Sequence, residues 1–168
     1  MMARSTPSHA MVLAAGLGKR MRPASDSLPK PLLRVVGKPL IDYALDHLAA
    51  TGVHQVVVNT HYLGDLIAAH VAEYAARQRG MTIHLSPEKV LLETGGGVAR
   101  ALPDLGDQPF FVLNSDTILR DGAVPALARL AEAWDAARMD ALLMLCPPER
   151  AVGHNRGGDF RLGADGRP

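Results

Sequence analysis

HAMVLAAGLGKRMRP, residues 9–23, is the stretch on which the fold turns. It opens as an apolar run of strand length, residues 9–14. It then passes directly into a loop carrying Gly16, Gly18, Lys19, Arg20 and Arg22. An α/β sheet puts such a loop at its ligand-binding end, provided that strands and helices alternate further along the chain.

They do alternate. Residues 39–51 place Leu40, Ile41, Ala44, Leu45 and Leu48 on one helical face, and Gly52 follows where a helix ends. QVVVNT (residues 55–60) reads as the next strand, and residues 65–77 as a helix with Leu66, Ile67, Val71 and Tyr74 inward. Residues 81–85 and FFVL (110–113) are further strands. Residues 125–138 form a helix with Leu127, Leu130, Ala131 and Trp134 as its stripe, and ALLML (141–145) is a fifth strand. Helical crossovers between strands imply a mostly parallel sheet covered on both faces. Ligands of such sheets bind beyond the carboxyl ends of the strands. Three segments of unusual composition leave those ends: residues 15–28, a turn at 93–97 ahead of a short helix, and 114–117.

The 168 residues are 48% hydrophobic and 21% charged, the balance of a soluble globular protein, and predict one domain over residues 1–168. The single cysteine excludes an internal disulfide and a Cys-rich zinc module, and fits a reducing, cytoplasmic setting. Cys146 itself, inside an apolar run, is expected to be buried and inert. No apolar run approaches the roughly 18 residues of a membrane span, and no signal-peptide pattern follows the polar start. FRL (160–162) alternates like a strand and GADG (163–166) reads as a turn, with no returning strand after it. The chain is therefore expected to be a C-terminally truncated piece of a longer protein.

Residues 16–38 hold six basic side chains, Lys19, Arg20, Arg22, Lys30, Arg34 and Lys38, against the single acid Asp26. The remainder carries twelve basic against sixteen acidic residues, and aromatic residues are only 4%. A nucleic-acid binder would be basic more widely and would offer stacking platforms. A compact anion such as a triphosphate suits one concentrated patch better.

Four motifs carry the chemistry. In LAAGLGKRMRP (13–23) the glycines let the backbone approach phosphate oxygens. The loop is neither a Walker A sequence, since Arg20 follows Gly18-Lys19, nor a dinucleotide fingerprint, since Met21 stands where a third glycine is required. In LPKPL (28–32) two prolines hold Lys30 in an extended segment, from which its ammonium can meet charge developing in phosphoryl transfer. ETGGG (93–97) spends three glycines where a nucleobase could lie against bare backbone. NSDT (114–117) puts Asp116 at a strand end, suited to holding Mg²⁺ with few protein ligands. Singly these are a basic glycine turn, a rigid surface loop, a flexible loop and a turn cap. The seven histidines lack the HExxH spacing of a zinc hydrolase, and Gly157-Gly158-Asp159-Phe160 reads as a turn.

In this order the four motifs, with PKPLLRVVGKPLI, resemble the sugar-1-phosphate nucleotidyltransferase family over residues 10–119. ETGGG is most similar to the N-acetylmuramate-1-phosphate uridylyltransferases of cell-wall recycling. Mannose-1-phosphate guanylyltransferases are the near alternative, and a non-catalytic nucleotide-sugar-binding regulatory module is the alternative from another class. The resemblance implies a Rossmann-like three-layer sandwich with a mixed, mostly parallel sheet. It also implies Mg²⁺-dependent joining of a nucleoside triphosphate, UTP first, to a sugar 1-phosphate. By motif position Ala14, Ala15, Gly16 and Gly18 would lie along the nucleotide, with Glu93, Gly95 and Gly96 near the base. Arg20 would grip the leaving phosphates and Lys30 the α-phosphate, while Asn114 would contact substrate and Asp116 the metal. Neither nucleic acid nor membrane is an implied partner. Ser115 departs from the glycine of many relatives and is expected to crowd the metal site slightly.

Overall fold

The computed structural model describes residues 6–153 and 158–167, with Arg20 described by its backbone alone. It comprises two compact units, Met1–Ala133 and Trp134–Pro168. The first begins with β1 (His9–Leu13), two single 3₁₀ turns (Lys19–Met21 and Lys30–Leu32), and an antiparallel pair, β2 (Arg34–Val35) with β3 (Lys38–Pro39). There follow α1 (Leu40–Ala50), β4 (Gln55–Thr60), α2 (Gly64–Arg77), β5 (Thr82–Pro87), α3 (Glu93–Leu105), β6 (Phe111–Asn114) and α4 (Ala126–Ala133).

Four strands make one sheet in the order β5-β4-β1-β6, and every neighbouring pair is parallel. Successive side chains of a strand point to opposite faces, and the sequence uses both. Ala10 and Val12 of β1, Val56 and Val58 of β4, and Phe111 and Leu113 of β6 enter one core. Ile41, Leu45 and Leu48 of α1, Ile67 and Val71 of α2, and Leu127 of α4 complete it. Met11 and Val57 point the other way, onto Ala101 and Leu105 of α3. The result is the anticipated three-layer α/β arrangement. Neither α1 nor α2 has a side-chain N-cap. A cap is worth ~1 kcal/mol, whereas each buried Leu or Ile contributes about 1.5–3 kcal/mol, so packing rather than capping holds these helices.

The strand order positions a crevice at one end of the sheet. From β1 the chain steps outward to β4 and β5, then returns across the sheet to lay β6 on the opposite side of β1. The segments leaving β1 and β6 lead to α1 and α4 on the same face of the sheet. A crevice opens at the carboxyl ends of these two strands, where Leu13 and Asn114 are register partners.

Five expectations need correction. ETGGG is not a turn before a helix but the first turns of α3 itself. Lys30 begins a 3₁₀ turn instead of lying extended, the turn closed by the Leu32 N–H on the Pro29 carbonyl at 2.8 Å and the Leu33 N–H on the Lys30 carbonyl at 3.1 Å, while Pro29 before it is extended. The helix expected to reach residue 138 ends at Ala133. Just beyond it the Asp135 carboxylate accepts the Ala137 N–H at 3.1 Å, a local bond that competes with helix continuation. Residues 141–145 form no strand, and most of them are exposed, as is Cys146. An apolar run becomes a strand only beside a neighbour that takes its backbone hydrogen bonds, and among the described residues this run has none. The turn at 163–166 is present, closed by the Gly166 N–H on the Gly163 carbonyl at 3.0 Å. His154 and Gly157 lie outside the described residues. Among the described residues no helix is long and apolar enough to cross a membrane.

Candidate active site

The crevice between β1 and β6 is a cavity of about 390 Å³, within the range of small-ligand sites. Each strand end contributes what its sequence allows. Beyond Leu13 the chain runs through Ala14 and Ala15, both buried, to an exposed Gly16. The two glycines of this loop answer different needs. Gly18 has φ +61, and a Cβ there would stand 3.2 Å from the Ser25 Cβ and 3.4 Å from the Lys30 Cβ. The fold itself therefore requires glycine at 18. Ser25 reinforces the bend by donating its hydroxyl to the Gly18 carbonyl at 2.9 Å. Gly16 has an ordinary φ and open space above it, so the folded chain does not demand a glycine there.

Lys30 is aimed from the second 3₁₀ turn, anchored by the buried Pro29, Pro31 and Leu32. Across the cavity mouth its Nζ donates to Asp116 Oδ2. Two groups singled out 86 positions apart in sequence are thus ion-paired at one rim. The Ser115 hydroxyl does not crowd this rim as anticipated. It donates to the Leu13 carbonyl at 2.6 Å, in parallel with the Ser115 N–H at 3.1 Å, and so ties the end of β6 to the end of β1.

Of the residues singled out from sequence, Ala14, Ala15, Gly16, Gly18, Lys30, Glu93, Asn114 and Asp116 line this cavity. Gly95 and Gly96 do not; Gly95 is exposed with open space where a Cβ would stand. The Arg20 side chain lies outside what the structure describes, while Lys19, on the same turn, lines the cavity. Sequence reading missed Lys19, Leu91, Thr94 and Asn59. Asn59 could have been found, because it is a polar residue that follows three consecutive valines near the carboxyl end of β4.

Asn59, which lines the cavity, and Glu88, which lies behind it, are buried polar groups that join the site's walls. The Ala14 N–H donates to Asn59 Oδ1 at 2.7 Å, and Asn59 Nδ2 donates to Glu88 Oε1 at 2.8 Å. The Leu92 N–H, at the start of α3, donates to Glu88 Oε2 at 2.9 Å. Gly97 makes room for this chain: a Cβ on it would sit 2.8 Å from Asn59 Nδ2 and 3.0 Å from Glu88 Oε1. The third glycine of ETGGG is thus explained by packing.

Mg²⁺ takes one or two carboxylates and completes its shell with water and phosphate oxygens. Among the described residues no cluster of three His, Cys, Asp or Glu side chains could cage a metal. Asp116 at the rim nevertheless offers the single hard-oxygen donor that such shared coordination needs, so the residues fit the ion.

The chain is similar to known proteins over most of its length. It is 48% identical to the N-acetylmuramate alpha-1-phosphate uridylyltransferase of Caulobacter vibrioides over 95% of its own length and 66% of that protein. To the protein of the same name from Neisseria meningitidis it is 42% identical, over 91% of this chain and 64% of the other. The chain thus spans somewhat less than two thirds of each relative. Among solved structures, UDP-glucose pyrophosphorylase of Acinetobacter baumannii superposes with a TM-score of 0.63 at 22% identity, covering 75% of this chain and 53% of that one. That likeness is one of fold. Residues 9–153 match the Nucleotidyl transferase family, and by that match the chain belongs to it.

Proposed function

We propose that the protein transfers a uridylyl group from UTP to a sugar 1-phosphate, N-acetylmuramic acid 1-phosphate being the first candidate acceptor, in the recycling of cell-wall sugars. The observation that carries this reading is the Lys30–Asp116 pair at the mouth of a cavity floored by glycine-rich backbone. The names of the relatives given above support the choice of base and acceptor.

In the reaction an oxygen of the sugar phosphate attacks the α-phosphorus in line. A new P–O bond forms, the bond to the β-phosphate oxygen breaks, and pyrophosphate leaves with its electron pair. The attacking oxygen is already anionic, so no general base is needed, and the work is positioning and charge neutralisation. The loop after β1 holds the triphosphate with backbone N–H groups and with Lys19 and Arg20, Arg20 gripping the leaving phosphates. Lys30 turns from Asp116 to the α-phosphate, where charge accumulates. Asp116 would hold Mg²⁺, which when bound neutralises the triphosphate. Glu93 and the start of α3 border the base, and Asn114 faces the acceptor.

The test is pyrophosphate release by the full-length protein with Mg²⁺, each nucleoside triphosphate in turn, and a panel of sugar 1-phosphates. Release with UTP and N-acetylmuramic acid 1-phosphate is expected. Release with GTP and mannose 1-phosphate instead would favour the guanylyl alternative, binding without turnover would favour a regulatory module, and silence throughout would end the proposal.

A further inference from the structure

We infer that Asn59 and Glu88 are positioning residues that fix the phosphate-side loop and the base-side wall of the cavity relative to each other, an inference that rests on the nucleotide-binding reading above. Glu88 does not line the cavity. It is 5% exposed, and Asn59 is 3% exposed. Two polar side chains this deeply buried are tolerable only when hydrogen-bonded, and the partners they have chosen are informative. One end of the chain is the Ala14 N–H, in the loop after β1; the other is the Leu92 N–H, immediately before α3. The backbone of Glu88 is fixed in turn, its N–H on the Thr60 carbonyl and its carbonyl on His61 Nδ1, both at 2.8 Å. The relay therefore spans from the strand end that would meet phosphates to the helix start that borders Glu93 and Thr94.

Its polarity is fully determined. An N–H can only donate and a carboxylate can only accept, so the Asn59 amide must point its oxygen at Ala14 and its nitrogen at Glu88. That determinacy makes a swap possible. In Asn59→Asp a second carboxylate faces Glu88. In Glu88→Gln an amide must serve both the Asn59 nitrogen and the Leu92 N–H, and one contact is left donor against donor. In the double variant the pattern is restored in reverse: the carboxylate at 59 accepts from the Ala14 N–H and from the amide nitrogen at 88, whose oxygen accepts from Leu92.

The experiment uses the full-length protein and measures UTP dissociation constants by calorimetry, well below each variant's melting temperature, alongside KM, kcat and thermal stability. Each single substitution should weaken UTP binding about tenfold or more, through misplacement of binding groups rather than their loss. It should raise KM more than it lowers kcat, and the double variant should return to within about threefold of the parent. Single variants that melt earlier yet bind UTP normally would overturn the inference, leaving the relay purely structural. So would a double variant no better than the worse single. A parent protein that binds no nucleoside triphosphate would overturn the proposed function and this inference together, an outcome distinct from the other two.

Discussion

At the scale of single residues the loop after β1 separates what folding needs from what binding needs. Gly18→Ala places a side chain at φ +61 and against Ser25, and should destabilise by about 1–2 kcal/mol. Gly16→Ala meets neither obstacle, and should change stability by no more than ~0.5 kcal/mol while weakening nucleotide binding. Urea unfolding and nucleotide titration on the two variants check the contrast. Lys30→Ala should slow pyrophosphate release roughly 10²–10³-fold, the loss seen when a donor to developing charge is removed; a change below about threefold would take Lys30 out of the mechanism. The sequence made these residues visible as types but could not separate the two glycines. Which one bends the chain depends on Ser25 and Lys30, whose approach is tertiary. Glu88 escaped notice for the same reason, since its meaning lies in Asn59, 29 positions distant, and through it in Ala14, 45 positions from Asn59.

At the scale of elements, the seam between α1 and α2 combines apolar packing with a polar edge. The Tyr74 hydroxyl donates to Asp46 Oδ1 at 2.6 Å, Lys38 pairs with the other Asp46 oxygen, and His70 Nε2 lies 2.6 Å from Asp42 Oδ1. Burial first, and then the bond to Asp46, push the Tyr74 phenol well above its ordinary value. The phenol is neutral in both folded and unfolded chains below about pH 10, so this group leaves stability flat there. Above that, the unfolded chain loses the proton first and stability falls as pH rises. Tyr74→Phe should cost about 1 kcal/mol at neutral pH through the lost hydrogen bond, yet lose less stability than the parent between pH 9 and 11 in denaturant titrations. The periodicity of α1 and α2 was plain in the sequence. That of α3 was not, because three glycines lower helix propensity by ~1 kcal/mol each relative to alanine, and only the packing of Gly97, Ala101 and Leu105 under the sheet offsets this. The run at 141–145 misled in the opposite direction: its composition suits a strand, but pairing is not a property of composition.

For the molecule as a whole, the reversal of strand order beside β1 is what brings residues 14–18, 30, 59, 93 and 114–116 to one cavity. Alternation of strands and helices made the sheet and the end that carries the cavity legible, whereas the order of the strands, and hence which loops share the crevice, came only from the fold. A nucleotide bound there stabilises the folded state by mass action, about 2.7 kcal/mol at a hundred times its dissociation constant. With ~2–4 °C per kcal/mol for a chain of this size, that is a thermal shift of roughly 5–10 °C. With Mg²⁺ present, UTP should give a larger shift than GTP at equal concentration, and the reverse order would reassign the base. The tight fit around Gly97 also bears on how such chains diverge. With a methyl group at position 97 obliged to stand within 3.0 Å of both Asn59 and Glu88, drift cannot pass through these three sites independently. Descendants that acquire alanine at 97 should be those in which position 59 or 88 has already shrunk, so the trio should be inherited or replaced as a block.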